Sequence, residues 1–157
     1  MTEIVVQKYG GSSVATIDKI KKVALKIKKR VENKEKIVVV VSAMGKTTNE
    51  LIRLAEKISI TPEPRELDMI LSTGEQVSAA LLSMALNSID VKAISYNAFQ
   101  LQIYTTNIHA SAKILDINAE KIFKSFENYD VIVVTGFQGI DELGNITTLG
   151  RGGSDTS

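Results

Sequence analysis

One five-residue run decides the fold of this chain: Ile37-Val38-Val39-Val40-Val41, which leads directly into Ser42-Ala43-Met44-Gly45. A continuous β-branched run of this length is typical of a strand that is buried on both faces of a parallel sheet. A similar run occupies residues 131–134, and a shorter one, Ile4-Val5-Val6, ends close to Gly10-Gly11. We therefore expect three buried strands, each followed by a turn that contains glycine.

Apolar residues at helical spacing separate these runs. The spacing predicts helices over residues 13–33, 47–58, 65–87 and 119–126. Further strands are predicted at residues 91–95, 101–104 and 146–149, with a turn at 141–145. Strands that alternate with helices across long crossovers predict a three-layer α/β/α sandwich with a mostly parallel sheet.

The composition is that of one globular domain. The chain has 157 residues, of which 44% are hydrophobic and 24% charged, and its net charge of +1 argues against a basic nucleic-acid-binding domain. There is no cysteine, which excludes disulfides and zinc–thiolate sites and is compatible with the cytosol. The apolar run in residues 1–8 is too short for a signal peptide, and we expect no membrane span. These features predict a cytoplasmic protein without a nucleic-acid or membrane partner.

Four predicted strand ends carry the residues suited to ligand binding. In open α/β sheets, ligands bind beyond the carboxyl ends of the strands. The four groups are Lys8, Gly10, Gly11, Ser12 and Ser13; Ser42, Gly45, Thr47 and Thr48; Gly136, Phe137 and Gly139; and Arg151, Gly152, Gly153, Ser154 and Asp155. Backbone donors, hydroxyls and two cations on one rim would suit an anionic ligand.

Structural explanations compete with this prediction at the first two strand ends. Gly10-Gly11 forms neither a G-x-G-x-x-G nor a Walker A loop, so it could serve only as a tight turn. Lys8 follows a run that looks buried, and a buried lysine needs an anionic partner, which favours a functional role. Among Ser42, Thr47 and Thr48, we expect one side chain to cap the helix that follows.

Two further residues have open interpretations. Ser72 and Glu75 have the S-x-x-E spacing of a capping box, which predicts a new helix start within residues 65–87 and leaves Glu75 as either a capping or a functional residue. His109 is the only histidine, and we expect it to lie in a surface loop without a partner.

The last eight residues, 150–157, have the composition of an anion-binding turn that opens a helix. Two glycines allow close backbone approach, and Ser, Asp and Thr are helix-capping residues. Because the sequence stops there, we expect the chain to be a fragment that ends inside its own active site.

Five ordered motifs resemble those of the aspartate kinases, within the amino acid kinase fold. The motifs are Lys8-Tyr9-Gly10-Gly11-Ser12-Ser13-Val14, residues 42–51, Ser72-Thr73-Gly74-Glu75, Gly136-Phe137-Gln138-Gly139 and residues 148–155. The resemblance covers the whole chain. It implies transfer of the ATP γ-phosphoryl group, with Mg²⁺ carried on the phosphates, to the side-chain carboxylate of L-aspartate. The product would be 4-phospho-L-aspartate, on the route to lysine, threonine, methionine and diaminopimelate.

The resemblance also implies a role for each matching residue. Lys8 and Asp155 would be catalytic, and Lys8, Tyr9, Gly10, Gly11 and Ser12 would line the phosphate path. The aspartate pocket would be formed by Ser42, Thr48, Glu75, Phe137, Arg151, Gly152, Gly153 and Ser154. Within it, Glu75 would face the substrate ammonium group, and Arg151 would hold a carboxylate. No residue is expected to bind a metal directly.

In the family, the kinase domain continues beyond this segment. The resemblance therefore implies that residues 1–157 are the aspartate-binding part of a kinase domain. The nucleotide-binding half and the C-terminal ACT domains, which sense feedback amino acids such as lysine or threonine and build an oligomer, would be absent. We expect the chain by itself to be inactive. A non-catalytic module that binds a small molecule on the same rim is the alternative.

Overall fold

Eight strands and six helices form residues 4–150, the part of the chain that the computed structural model describes. The strands are β1 (Ile4–Tyr9), β2 (Lys36–Val41), β3 (Ala93–Tyr96), β4 (Ile103–Thr105), β5 (Ile114–Ile117), β6 (Val131–Thr135), β7 (Gln138–Ile140) and β8 (Ile146–Thr148). The helices are α1 (Ile17–Glu32), α2 (Thr47–Ile58), α3 (Pro64–Leu71), α4 (Thr73–Asn87), α5 (Ala98–Leu101) and α6 (Ala119–Ser125).

A parallel sheet of four strands, in the order β1-β2-β6-β3, forms the centre of the fold. Val38 of β2 lies opposite Ile132 of β6, and Val40 opposite Val134. All five residues of β6, and all of β2 after Lys36, are buried. The predicted burial of the two β-branched runs is therefore confirmed.

Helices cover both faces of this sheet. On one face, Ile20 and Ile27 of α1 and Leu82 and Leu86 of α4 pack against Val39 and its neighbours. On the other face, Leu101 of α5 packs against alternate residues of β2 and β6, with Ile122 and Phe126 of the α6 region beside it. The predicted α/β fold with a mostly parallel sheet is confirmed.

A second sheet of four strands, in the order β5-β4-β7-β8, was not predicted. Its strands have only three or four residues, so they carry almost no periodic signal. Gln138 and Gly139, expected to belong to the turn after β6, form part of β7 instead, which pairs antiparallel with β8. Leu101, expected in a strand, ends the short helix α5.

Strand β1 is less buried than its sequence suggests. It is an edge strand in which exposure alternates, and Val6 is 67% exposed. The prediction that Lys8 follows a buried strand is wrong, because Lys8 lies on the same exposed face as Val6. A run of three β-branched residues does not distinguish an edge strand from a central one.

The helix boundaries agree with the predictions within a few residues. Helix α2 has the predicted bounds, whereas α1 begins at Ile17, where Thr16 caps it by accepting a hydrogen bond from the Lys19 N–H at 3.2 Å. Helices α3 and α4 follow each other with only Ser72 between them.

The α3–α4 segment also contradicts the expectation that no stretch is long and apolar enough to span a membrane. Pro64–Asn87 comprises 24 residues and has a mean hydropathy of 1.3 over its most apolar window. Half of that window is buried inside the fold, and Asp68 and Glu75 are among the buried residues. A core helix of a globular protein has these same properties, so the segment is weak evidence for a membrane span.

Candidate functional site

Three of the predicted strand ends meet at the carboxyl edge of the parallel sheet. The Ser42 N–H donates to the Tyr9 carbonyl at 3.1 Å, and the Gly136 N–H donates to the Val41 carbonyl at 2.9 Å. These bonds extend the pairing of β1 with β2 and of β2 with β6 past the ends of the strands. The turns after β1, β2 and β6 are therefore neighbours, as expected from a parallel sheet.

Two glycines allow these turns and α4 to approach one another closely. A Cβ atom on Gly11 would lie 2.8 Å from the carbonyl oxygen of Ala43, and the Gly11 carbonyl accepts a hydrogen bond from the Gly45 N–H at 3.0 Å. A Cβ atom on Gly74 would lie 2.8 Å from the Cβ atom of Ala43. Residues 42–45 are thus held between the first turn and the start of α4, with no room for a side chain at either contact.

Glu75 is the most unusual residue at this edge. Its side chain is 2% exposed, and burial raises the pKa of its carboxyl group to about 7, although hydrogen bonds with the backbone of Glu75 and Ala43 and with the Gln138 side chain act to lower it. Its Oε2 atom is buried and has no hydrogen-bond partner within the described chain. A buried, half-satisfied carboxyl group is costly, so it is a candidate for contact with a cationic ligand group.

The predicted start of a new helix at Ser72 is confirmed, because α4 begins at Thr73, but neither predicted side-chain cap is present. Ser72 has helical dihedral angles, and its hydroxyl donates to the Met69 carbonyl at 2.8 Å instead of capping α4, so residues 72–75 form no capping box. Lys46 is the N-cap of α2, and no side chain caps that helix. Because α3 runs almost directly into α4, the Ser72 N–H donates to the Asp68 carbonyl at 3.0 Å, as in a continuing helix.

The other predicted site residues on the first two turns lie at varying depth. Tyr9 is half-buried, and its pKa is raised by burial, against the opposing effect of the Arg30 charge. Ser12 is exposed, and its carbonyl accepts a hydrogen bond from the Lys19 ammonium group at 3.0 Å. Beside them lies an open cavity of about 250 Å³, to whose lining α1 contributes Lys19, Lys22 and Lys26. Ser42 directly follows β2, and Thr48 lies in the first turn of α2; both are half-buried.

Phe137 connects β6 to β7 in a strained conformation. Its φ angle is +69°, a left-handed conformation that is uncommon for a bulky residue. The Phe137 carbonyl accepts a hydrogen bond from the Leu149 N–H at 2.9 Å, which ties the turn to the end of β8. The side chain is half-buried next to the predicted site.

A buried carboxyl group outside the five motifs, that of Asp68, also belongs to this region. Its Oδ1 atom accepts a hydrogen bond from the Thr148 hydroxyl at 2.5 Å, and its Oδ2 atom lies 2.6 Å from Nδ1 of His109. The Ala110 N–H lies 3.2 Å from both oxygens. The expectation that His109 has no partner is wrong, because the fold brings together residues 41 positions apart. The spacing of Asp68, Ser72 and Glu75 along the α3–α4 segment, with many apolar residues between them, is a signal that could have identified the buried face.

The remaining predicted residues are Arg151, Gly152, Gly153, Ser154 and Asp155, and they lie outside the described residues. β8, which precedes them in the sequence, belongs to the second sheet and not to the parallel one. Within residues 4–150, no group of three or more His, Asp or Glu side chains is placed to hold a metal ion.

Comparison with known proteins defines the class. The sequence profile of the amino acid kinase family matches residues 3–157, and the chain belongs to that family. The aspartate kinase of Stutzerimonas stutzeri is 54% identical over 154 residues, which are 98% of this chain and 37% of the relative. The chain thus spans little more than a third of the length of this relative.

Solved structures agree with this assignment. The aspartate kinase of Synechocystis is 46% identical, with a TM-score of 0.79, and the match covers 98% of this chain and 25% of that one. The fold is also shared with E. coli aspartokinase III in complex with aspartate and ADP, which is 24% identical, with a TM-score of 0.85 over 98% of this chain and 45% of the other.

Proposed function

We propose that residues 1–157 form the acceptor-binding part of an aspartate kinase, an enzyme that transfers the γ-phosphoryl group of MgATP to the side-chain carboxylate of L-aspartate. A bond forms between a carboxylate oxygen of aspartate and the γ-phosphorus, and the bond from that phosphorus to ADP breaks. The acceptor is already an anion, so no general base is needed. Catalysis then consists of positioning and of electrostatic stabilisation.

The state of Glu75 is the observation that carries this proposal. A buried carboxyl group with a pKa of about 7, one oxygen of which has no partner within residues 4–150, is suited to an ammonium group, which supplies a positive charge and hydrogen bonds. An α-amino acid provides such a group. Identities of 46–54% to proteins named aspartate kinase or aspartokinase support aspartate as that amino acid.

The phosphate side of the site would be formed by the first turn. Gly10, Gly11 and Ser12 would line the phosphate path beside Tyr9, and Lys8 would stabilise charge on the transferring group. Lysines 19, 22 and 26 around the neighbouring cavity add positive charge on the same side. Mg²⁺ would arrive with the nucleotide as part of the substrate.

The motif at residues 151–155 would complete the acceptor pocket. Arg151 would hold a carboxylate of aspartate through its planar guanidinium group, and Gly152, Gly153 and Ser154 would donate hydrogen bonds. Asp155 would orient Lys8 and the reacting groups. Ser42, Thr48 and Phe137 would line the remainder.

The rest of the active protein would lie outside these 157 residues. We propose that the nucleotide base is bound elsewhere in a longer kinase, that feedback amino acids act through further C-terminal domains, and that the enzyme is a cytoplasmic oligomer of amino-acid biosynthesis. E. coli aspartokinase III, which shares the fold, forms a complex with lysine and aspartate in its T-state.

A chimera tests the proposal. Residues 1–157 replace the matching segment of the Stutzerimonas stutzeri aspartate kinase, and acyl phosphate is trapped as the hydroxamate. We expect ATP-dependent product with L-aspartate and little with L-glutamate. The Arg151→Ala variant should raise the KM for aspartate far more than that for ATP, because loss of the guanidinium–carboxylate pair costs about 2–5 kcal/mol of binding free energy. Arg151→Lys should recover only part of this loss. A folded chimera without aspartate-dependent product would refute the proposal and favour the non-catalytic binding module.

A further inference from the structure

A polar seam joins the helix face that carries Glu75 to the hairpin of β7 and β8. On the helix side, Asp68, Ser72 and Glu75 are spaced four and three residues apart, so they share one face of the α3–α4 segment, and all are at most 2% exposed. On the hairpin side, Gln138 and Thr148 lie directly opposite each other in the β7–β8 register. Both are buried.

The contacts across this seam are made by side chains of the hairpin. The Gln138 amide donates to the Ser72 carbonyl at 2.9 Å and also forms a hydrogen bond with the Glu75 carboxyl group. Next to it, the Thr148 hydroxyl donates to Asp68 at 2.5 Å. Because Gln138 and Thr148 are paired across the two strands, these three bonds fix both the position and the rotation of the hairpin relative to the α3–α4 segment.

Asp68 differs from Glu75 in one decisive respect. Both Asp68 oxygens have protein partners, from Thr148, His109 and the Ala110 N–H, whereas one oxygen of Glu75 is unpartnered within the described chain. The partners of Asp68 come from β8 and from the loop before β5, so a single carboxyl group joins three segments. Burying such a group is costly, and its partners show that it holds protein segments together rather than a ligand.

We propose that Asp68 and Thr148 are positioning residues, whose hydrogen bond keeps the hairpin seated on the helix so that Gln138 and the carboxyl group of Glu75 stay in register and shielded from water. The inference rests on the proposed function for the role of Glu75 as a ligand group. The hairpin also begins next to Phe137, whose carbonyl accepts a hydrogen bond from the Leu149 N–H, so its seating also affects this member of the proposed pocket.

The protonation of Glu75 reports on this seating without any ligand. If the hairpin lifts, water reaches Glu75 and removes the desolvation that raises its pKa. The 157-residue chain is labelled with ¹³C at glutamate carboxyl groups and titrated by NMR, with the Glu75 signal assigned from Glu75→Gln. We expect Thr148→Val to lower the pKa of Glu75 by about one pH unit or more, and Thr148→Ser, which keeps the hydroxyl, to restore it.

Ser125→Ala is the matched control. The Ser125 hydroxyl is buried and bonded to the Lys121 carbonyl and the Tyr96 hydroxyl, so its loss removes comparable contacts to residues that are not part of the seam. It should lower the thermal midpoint without changing the pKa of Glu75. Asp68→Asn provides a second seam variant, with the expected pKa shift in the same direction as Thr148→Val.

An unchanged Glu75 pKa in folded Thr148→Val and Asp68→Asn would overturn the positioning role. The hydroxamate assay of the chimera with L-aspartate separates this result from failure of the proposed function. A Glu75 pKa that responds to Thr148→Val, combined with a chimera that forms no hydroxamate from aspartate, would leave the positioning role intact and refute only the kinase assignment.

Discussion

At the scale of single residues, the burial of the Glu75 carboxyl group makes the stability of the fold depend on pH. The folded chain shields its carboxyl group from water, which raises its pKa from 4.5 to about 7. The unfolded chain loses that proton near the ordinary value, so the folded state binds the proton more tightly. The contribution of Glu75 to stability is therefore fully present below pH 4.5 and is lost as the pH rises to about 7.

We predict that Glu75→Gln makes the folded chain less sensitive to pH. The neutral amide has nearly the same shape and no charge to desolvate, so the variant should be more stable than wild type by about 1–3 kcal/mol near pH 8 and similar to it near pH 5. Urea unfolding at both pH values measures this difference. Asp141 does not interfere, since hydrogen bonds from Asn145 and Leu143 outweigh its burial and lower its pKa. Equal pH dependence in the two proteins would contradict the prediction.

In contrast to the buried Glu75, Lys8 has a side chain that is exposed on an edge strand. We predict that Lys8→Met in the chimera lowers kcat by about 10²–10³, as for loss of one preorganised electrostatic donor. An exposed position predicts a change in stability of only about 0.5 kcal/mol, which differential scanning calorimetry can measure. A variant with a much lower thermal midpoint and nearly normal kcat would show that Lys8 has a structural role instead.

At the scale of elements, close backbone contacts determine how the turns and α4 fit together. Residues 42–45 lie between Gly11 and Gly74, each with a virtual Cβ atom 2.8 Å from Ala43. The contact at Gly11 is with a backbone carbonyl, which can give way only if the loop moves. The position of Ser42 and of the N–H groups around it thus depends on residues without side chains.

We predict that Gly11→Ala destabilises the chain by about 1–3 kcal/mol, as for overpacking of a filled space. Gly10→Ala is the neighbouring control, because a Cβ atom at Gly10 would have no atom within 4 Å, and its change should be about 0.5 kcal/mol or less. Chemical denaturation of both variants gives the comparison. Equal stability of the two variants would show that the loop adjusts freely.

At the scale of the whole molecule, the family fold is present in a chain that spans about 37% of its relative's length. Two clusters of buried side chains, one on each face of the parallel sheet, provide a core within residues 4–150. Four of the eight residues proposed to bind aspartate, Ser42, Thr48, Glu75 and Phe137, belong to this segment, whereas the adenine contacts are proposed to lie outside the 157 residues.

We predict that the 157-residue chain alone shows no sustained turnover of ATP with aspartate. The proposed pocket holds the acceptor, and a nucleotide bound only through its phosphates would not be positioned for transfer. A coupled assay for ADP release, with Mg²⁺ and L-aspartate, tests this, and the chimera serves as the positive control. Sustained aspartate-dependent release from the chain alone would contradict the prediction.

The sequence by itself determined the elements with long, uniform patterns. The buried runs of β2 and β6, the bounds of α2, the parallel sheet and the family motifs were all predictable, because local periodicity and motif order need no tertiary information. Within the second sheet, β8 and part of β4 were predicted, but β5 and β7 were not, since segments of three or four residues are stabilised by partners distant in the sequence.

Only the tertiary structure decided the chemistry of the site. Ser72 and Glu75 have the spacing of a helix cap, yet the packing of β7 and β8 against α3–α4 turns them into buried residues of a polar seam. The pairing of Asp68 with His109 and Thr148 joins residues 41 and 80 positions apart, which no local pattern encodes. Burial and hydrogen-bond partners set the pKa of a carboxyl group, and both depend on which distant segments the fold places around it.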